Sequence, residues 1–434
     1  MLLKRFVKNA IVVGVASVSM VGVAQANDLP ELLRGLIQTN AEVKSAEAKL
    51  GGAKSDVSSK KGEWFPTVTV NAKIGHEGTN QGATPFTDAR SSELKTSFDQ
   101  LLWDFGQLNA EIDAERANQI GKEYSVSQTT QKVLRSGAKA YIDLVAAYRV
   151  LENTKAVEGR IREQTASEEK RLKIGAGLRK DVLQSEAELS RAIEKRLKAE
   201  LNLAKAMNGY RQWFNVVPDD LSKLNMVDVN VEIPSMEDMI AQFEAQNYAL
   251  LETKQNIVKA VASKNSTRAK GYFPEVTLTG SYTFQNDMGG TVNYDEDTSI
   301  LVNVKMPFNL GLAAVHDVNS AQHKVEDFQA IHDKARDALE KNLRDTYQKL
   351  ITSKELVDRY QQSVKLNEDF LTLARKERKL GGGSMSSLLS ILIAERKVIE
   401  ANSDLEESKA DVVSAKVELL EAIGRLSPDL FVQQ

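Results

Sequence analysis

Residues 375–426 read RKERKLGGGSMSSLLSILIAERKVIEANSDLEESKADVVSAKVELLEAIGRL, and the spacing of the apolar side chains in this stretch decides the fold. After the glycines, large aliphatic residues recur at every seventh position: Ile391, Val398, Leu405, Val412, Leu419 and Leu426. Small residues recur beside them with the same spacing: Ala394, Ala401, Ser408, Ala415 and Ala422. Two such stripes are typical of a coiled-coil helix that its neighbours approach closely.

Another stripe lies before the glycines, at Leu343, Leu350, Val357, Val364 and Leu371. Two long helices are therefore predicted on either side of Gly381, Gly382 and Gly383. By composition alone, the GGGS segment is a flexible linker. The other interpretation is the turn of a long helical hairpin, and the rest of the chain has to decide between the two.

The composition favours long helices over a thick globular core. The chain has 434 residues, enough for two or three ordinary domains, but only 6% are aromatic and only 8 are proline. The net charge is −3 and no basic stripe stands out, which excludes a nucleic-acid partner. There is no cysteine, so disulfides and thiolate metal sites are excluded as well.

Residues 1–26 are predicted to be a signal peptide. Basic residues precede a short apolar run, and an A-x-A sequence places the cleavage site between Ala26 and Asn27. The apolar run is too short for a transmembrane helix, which needs about 20 residues. We therefore expect an exported protein, and any membrane insertion would have to be as a β-barrel.

The remaining chain is predicted to contain one series of elements twice. The first series is helix 29–61, strands 67–74 and 93–99, helix 107–174, a break at 175–177 and helix 181–207. The second is helix 235–268, strands 276–284 and 300–306, a helix to 380, a break at 381–383 and a helix to about 423. Four pairs of landmarks are separated by 205 to 208 residues: Asn40 and Asn247, Pro66 and Pro274, Gly106 and Gly311, and Gly175 and Gly381. This near-constant separation indicates a tandem duplication.

The duplication gives the expected organisation of the chain. After the signal peptide come a first repeat (27–208), a connecting segment (209–234), a second repeat (235–426) and a C-terminal tail (427–434).

The four predicted strands each have one apolar and one polar face. Four strands cannot close a membrane barrel, which needs at least about eight, and lipid does not tolerate open sheet edges. Either the apolar face packs on helices in water, or several chains share one barrel. Helix 107–174 would span roughly 100 Å, too long to be buried against a small sheet, which favours sharing. Aromatic residues at the strand ends fit a membrane-interface girdle, with ordinary core packing as the alternative: Trp64, Phe65, Trp103, Tyr272, Phe273 and Phe308.

Short motifs recur at corresponding positions of the two repeats. Phe-Pro precedes each first strand, LLWDFGQ (101–107) and MPFNLG (306–311) follow each second strand, and DVLQSEAEL (181–189) and SLLSILIAER (387–396) follow the glycine-containing breaks. With the signal peptide, this ordered set resembles the TolC family of outer-membrane efflux and secretion channels. The resemblance covers nearly the whole chain after residue 26.

The resemblance implies a mainly α fold with a small β part. Each protomer would contribute long coiled-coil hairpins and four transmembrane strands, and a homotrimer would form a shared 12-stranded barrel and a periplasmic α-helical tunnel. It further implies contact with outer-membrane lipid in a Gram-negative bacterium, with most of the mass in the periplasm. A periplasmic adaptor and an inner-membrane ABC transporter, or a proton-driven pump, would be the partners. Such a channel is not an enzyme and has no cofactor.

The resemblance also implies where the tunnel would close and meet its adaptor. The hairpin tips would be Gly175, Ala176, Gly177 and Leu178 in the first repeat, and Gly381, Gly382, Gly383 and Ser384 in the second. Family members carry acidic residues around the closed aperture, but the matching positions here are Ser387 and Ser390, so we do not expect cations to block the pore.

A lock of the closed tip is expected between Asp181 and Arg378. Arg378 occupies a position where some relatives carry a tyrosine that helps to hold the tip, and Asp181 is its natural partner. The alternative is that Arg378 belongs only to a solvated run of charges at 375–379.

The cargo is the least determined part of the function. The LWDFG variant resembles members that serve type I secretion of large adhesins or RTX toxins, which we take as the expected role. Drug efflux is the alternative within the family, and a periplasmic structural coiled-coil protein is the alternative of another class. That class accounts for the helices but not for two β-hairpins at repeat spacing.

We found no catalytic or metal-binding motif in the sequence. His316 and His323 are seven residues apart, too few ligands for a metal site, and a solvated helix face is expected instead. The adjacent carboxylates Glu168-Glu169 and Glu406-Glu407 are interpreted as surface charge, because they lie in helical sequence with many basic neighbours.

Overall fold

A computed structural model describes residues 28–433 except 80–85, 219, 291, 309 and 380–385. The first half contains α1 (Leu29–Thr39), α2 (Ala41–Gly62), β1 (Thr67–Thr79), β2 (Thr87–Trp103), α3 (Gln107–Lys173) and α4 (Arg179–Phe214). After a short strand, β3 (Val227–Val229), the second half contains α5 (Met236–Gln246), α6 (Tyr248–Tyr272), β4 (Glu275–Asn286), β5 (Tyr294–Lys305), α7 (Ala313–Lys379) and α8 (Ser386–Ala422). Strand β6 (Phe431–Gln433) is the last element in the described part of the chain.

The predicted duplication is confirmed by the order and the lengths of the elements. Helices α3 and α7 both have 67 residues, and α1 and α5 both have 11. A helix of that greater length spans roughly 100 Å. The fold is therefore two copies of a long helical hairpin attached to one sheet.

The helices predicted over 29–61 and 235–268 are each broken once, at Asn40 and at Asn247. Both asparagines have extended backbone, with ψ of 133° and 115°. The Oδ1 atom of Asn40 accepts a hydrogen bond from the amide of Glu42 (2.8 Å), and that of Asn247 accepts one from Leu250 (2.9 Å). Asparagine is a favoured N-cap, so each one ends a short helix and begins a longer one.

Helix α8 is buried on two faces because it packs against both hairpins. The predicted stripes face α7, where Ile391, Ala394 and Val398 contact Leu371 and Ala374. A second face, not predicted, packs on α3 and α4: Leu388, Leu392 and Ile399 contact Val157, Ile161 and Ala192. The hairpins are thus joined through α8.

The middle of the molecule holds the largest core. Strands β3 and β6 pair antiparallel, so the connecting segment and the C-terminal tail meet in one small sheet. Helix α1 packs on α3 at Gly137, where an added Cβ would lie 2.5 Å from the side chain of Leu36. Helix α4 continues through Phe214, beyond the expected helix end at 207.

The four long strands form one antiparallel sheet in the order β1-β2-β4-β5. The β2–β4 pair joins the two halves of the chain, with Leu94 opposite Phe284. The strands are longer than predicted, because polar residues at 75–79, 87–90, 285–286 and 294–297 continue the ladders instead of forming loops. In the described sheet, β1 and β5 each pair on one side only.

Candidate functional site

The sheet separates an apolar face from a polar face, and the apolar face is exposed in the protomer. Val70 on β1 is 63% exposed and Ile300 on β5 is 77% exposed. The alternative in which this face packs on helices is therefore wrong. On the opposite face, hydrogen bonds link neighbouring strands, such as Lys73 Nζ to Glu93 Oε2 at 3.0 Å.

Aromatic side chains lie at both ends of the apolar face. At the helical end, the ring of Phe105 stacks on Phe273 with centroids 5.4 Å apart, and Phe65 and Phe308 are exposed. At the far end, Phe284 and Tyr294 meet edge to face at 5.3 Å. Two aromatic belts around an apolar band are typical of transmembrane strands.

The LLWDFGQ motif forms the junction between strand β2 and the long helix α3. The buried carboxylate of Asp104 accepts hydrogen bonds from the amides of Gly106 (3.0 Å) and Leu108 (2.5 Å). Phe105 and Gly106 have positive φ of 55° and 88°, which turns the chain from β2 into α3. Asp104 is a structural residue that the sequence analysis did not single out: it lies two positions before Gly106, the N-cap of α3, and accepts from amides at the start of that helix.

The tip of the first hairpin needs both of its glycines. Gly175 has φ of 76°, and the amides of Gly175 and Ala176 donate to the carbonyls of Leu172 (3.0 Å) and Arg171 (2.9 Å). This is a Schellman cap, which favours glycine at the positive φ. An added Cβ on Gly177 would lie 2.8 Å from the backbone nitrogen of Leu172.

The tip presents apolar side chains to solvent. Ile174 and Leu178, on either side of the glycines, are both more than half exposed. Asp181 is half-buried in the first turn of α4, where a carboxylate is favourable near the helix N-terminus.

The second tip and the cleavage site lie outside the part of the chain that the structure describes. This holds for Gly381, Gly382, Gly383 and Ser384, and for Ala26 and Asn27. Arg378 and Ser387 belong to α7 and α8, but their side chains are not described, so the Asp181–Arg378 contact stays a prediction. Ser390 is half-buried near the start of α8.

Buried charges connect the helices behind the tip. Glu158 on α3 accepts hydrogen bonds from Arg162 and, at 2.6 Å, from Arg196 on α4. Burial alone would raise the pKa of the Glu158 carboxyl, but the two guanidinium groups outweigh it and hold that pKa below its usual range. The interpretation of Glu168 as surface charge is wrong: its side chain is buried and accepts a hydrogen bond from Gln164 at 2.6 Å.

The described ranges contain neither a cluster of metal ligands nor a helix suited to cross a membrane. Among those residues, no three or more side chains of His, Asp or Glu converge as metal ligands would. None of the helices described there combines the length and the apolar character needed to cross a membrane.

The chain matches one family model and shares its fold with solved protein structures. The family model described as outer membrane efflux protein matches residues 32–214 and 239–425. The chain is 24% identical over 407 residues to the outer membrane efflux protein BepC of Brucella suis biovar 1 (strain 1330), covering 92% of this chain and 87% of BepC. It is 23% identical over 417 residues to the outer membrane protein TolC of Vibrio cholerae, covering 93% of this chain and 92% of TolC. The solved Campylobacter jejuni CmeC outer membrane channel has the same fold, with a TM-score of 0.79 at 15% identity over 92% of this chain and 86% of CmeC.

Proposed function

Because the chain belongs to the outer membrane efflux protein family, it is an outer-membrane channel, and we propose that three copies form the exit duct of a tripartite export system. The observation that carries this proposal is the sheet with an exposed apolar face and a hydrogen-bonded polar face. A sheet of this kind is stable in lipid only when its edges are paired. Pairing of β5 with β1 of the next copy would close a barrel of 12 strands, with the polar face lining water.

The helices would continue that path through the periplasm. The two hairpins of each copy contribute their long helices to the tunnel wall, and the apolar tip residues Ile174 and Leu178 offer a surface for a periplasmic adaptor. An inner-membrane transporter would drive transport, since the channel itself contributes no chemistry. The duct supplies a continuous aqueous route.

Conductance of the purified protein tests this function. We expect a trimer that co-fractionates with the outer membrane, migrates as a trimer before heating and forms ion-conducting pores in planar lipid bilayers. A periplasmic scaffold protein would instead be recovered in the soluble periplasmic fraction and would not conduct. That result would contradict the channel proposal.

For the cargo, we infer type I secretion of a large adhesin or RTX-type protein, based on the LWDFG motif. Drug efflux is the second candidate. It is favoured by the similarity to BepC, an outer membrane efflux protein. Deletion of the gene separates the two. Type I secretion predicts that a large protein disappears from the culture supernatant while drug susceptibility is unchanged. Efflux predicts that drug susceptibility rises while the proteins of the supernatant are unchanged.

A further inference from the structure

The segment that follows β4 folds back across the polar face of the sheet. We call residues 287–290 the crossover segment. Asp287 turns the chain with φ of 54°, and its carboxylate accepts a hydrogen bond from the amide of Asn293 at 3.1 Å. The amide of Gly289 then donates to the carboxylate of Glu77 at 2.6 Å. Because the strand order is β1-β2-β4, a segment that leaves β4 and reaches Glu77 on β1 has to cross β2.

The burial pattern of β2 shows which face the crossover segment covers. Ala89, Ser91 and Glu93 are only 8%, 4% and 9% exposed. Arg90, between them and on the other face, is exposed. Lys95 lies on the same face as Glu93 but farther from the crossover segment, and it is exposed. The cover is therefore local, and it lies on the polar face.

Glu77 is placed to hold the crossover segment against the sheet. It pairs with Ala89 across the β1–β2 ladder, so its side chain belongs to the same face as the buried residues of β2. Its carboxylate is also the acceptor for a backbone amide of the segment, a charge-assisted hydrogen bond that is stronger than a neutral one.

On the basis of the proposed trimeric channel, in which the polar face lines the lumen, we propose that the crossover segment is a constriction that sets the size limit at the outer mouth of the pore. Each protomer would contribute one segment at the end of the sheet remote from the helices. Glu77 is the residue that fixes its position. Pore diameter then depends on this contact as well as on the number of strands.

Single-channel conductance in concentrated KCl tests the constriction, because high salt screens the loss of a lumenal charge. Glu77→Ala removes the acceptor, and we expect conductance to rise by about 1.5-fold or more as the segment leaves the lumen. Glu77→Gln removes the charge but keeps an acceptor oxygen, so its conductance should stay near that of the unchanged protein. Asp88→Asn is the matched control, since Asp88 is an exposed carboxylate at the same height on the apolar face, 3.5 Å from His76.

A second variant keeps the test valid if one hydrogen bond is not enough to hold the segment. Replacement of residues 287–293 by Asn-Gly gives a two-residue turn compatible with the Asn286–Tyr294 pair. This variant should conduct at least as well as Glu77→Ala and should admit larger polyethylene glycols into the pore. If the unchanged protein does not conduct, the channel proposal fails. If it conducts and both variants match it in conductance and in polymer exclusion, the constriction proposal alone is overturned.

Discussion

Arg160 of α3 and Glu395 of α8 form an ion pair between the two helical hairpins, with the Nε atom of arginine 3.0 Å from Oε2 of the carboxylate. Arg375 of α7 contacts the other carboxylate oxygen. Glu395 is buried, whereas both arginines remain partly exposed. One carboxylate therefore connects three helices just behind the tip.

Removal of this carboxylate should destabilise the tunnel. Breaking a buried ion pair costs about 3–5 kcal/mol of folding free energy. Because both arginines reach solvent, we expect a smaller loss of about 1–3 kcal/mol for Glu395→Ala. The midpoint of thermal unfolding measures the effect. Glu355→Ala is the control, since Glu355 and Arg359 form an exposed pair at 3.7 Å whose loss should cost less than about 0.5 kcal/mol. Equal midpoints for the two variants would contradict the role of Glu395.

The end of α8 requires a glycine. Gly424 has φ of 69°, and an added Cβ would lie 2.8 Å from the carbonyl oxygen of Gln246. Since both the backbone conformation and the space oppose a side chain, Gly424→Ala should destabilise the protein by about 1–3 kcal/mol. Gly159→Ala provides the contrast: Gly159 is an exposed residue inside α3 with nothing within 4 Å of an added Cβ. That variant should gain about 0.5–1 kcal/mol, and urea unfolding followed by circular dichroism distinguishes the signs.

The two helix breaks are predicted to differ in energy. Asn247 caps α6, and its Nδ2 atom also donates to the carbonyl of Ala422 at 2.7 Å. Among the described hydrogen bonds, the side chain of Asn40 only caps α2. Asn40→Ala should cost about 1 kcal/mol, and Asn247→Ala should cost about 1 kcal/mol more because a second hydrogen bond is lost. Asn247→Ser keeps a capping oxygen without the amide donor and should fall between them. Equal losses for Asn40→Ala and Asn247→Ala would show that the contact with Ala422 contributes nothing.

Acid should weaken the contact between α3 and α4. The pKa of Glu158 is lowered in the folded protein, so its stabilising effect is present above the ordinary carboxyl pKa of about 4.3 and is lost as the pH falls through the folded value. We expect the thermal midpoint to decrease as the pH falls below about 5, and to decrease less in Glu158→Gln. The exposed control Glu355→Gln should follow the unchanged protein. An identical pH profile for Glu158→Gln would contradict this assignment.

The sequence predicted what is periodic, and it missed what depends on contacts between distant segments. The stripe from Ile391 to Leu426 predicted α8, because one face of a helix shows directly in residue spacing. Its second face was not predicted, since burial of Leu392 depends on the first hairpin packing beside it.

The same distinction applies at the candidate site. The alternation of strand residues predicted two faces, and the structure confirmed them. The crossover segment falls between the predicted strands 276–284 and 300–306, and nothing in its composition reveals that Gly289 meets Glu77, which is 212 positions away in the sequence. Asn40 and Asn247 were used only as landmarks of the duplication, and the two helix breaks were not predicted, although asparagine is a favoured N-cap.

The closed state of the tip is expected to depend on Asp181 and Arg378. Asp181 is half-buried at the start of α4, and its predicted partner is Arg378. If this pair holds the tip closed, Asp181→Ala and Arg378→Ala should each raise single-channel conductance, and the double variant should raise it no further than either alone, because coupled residues are not additive. Glu186→Ala, an exposed carboxylate farther along α4, controls for the loss of charge. Unchanged conductance in Asp181→Ala would contradict the lock, and additive effects would show that Asp181 and Arg378 act on the pore separately.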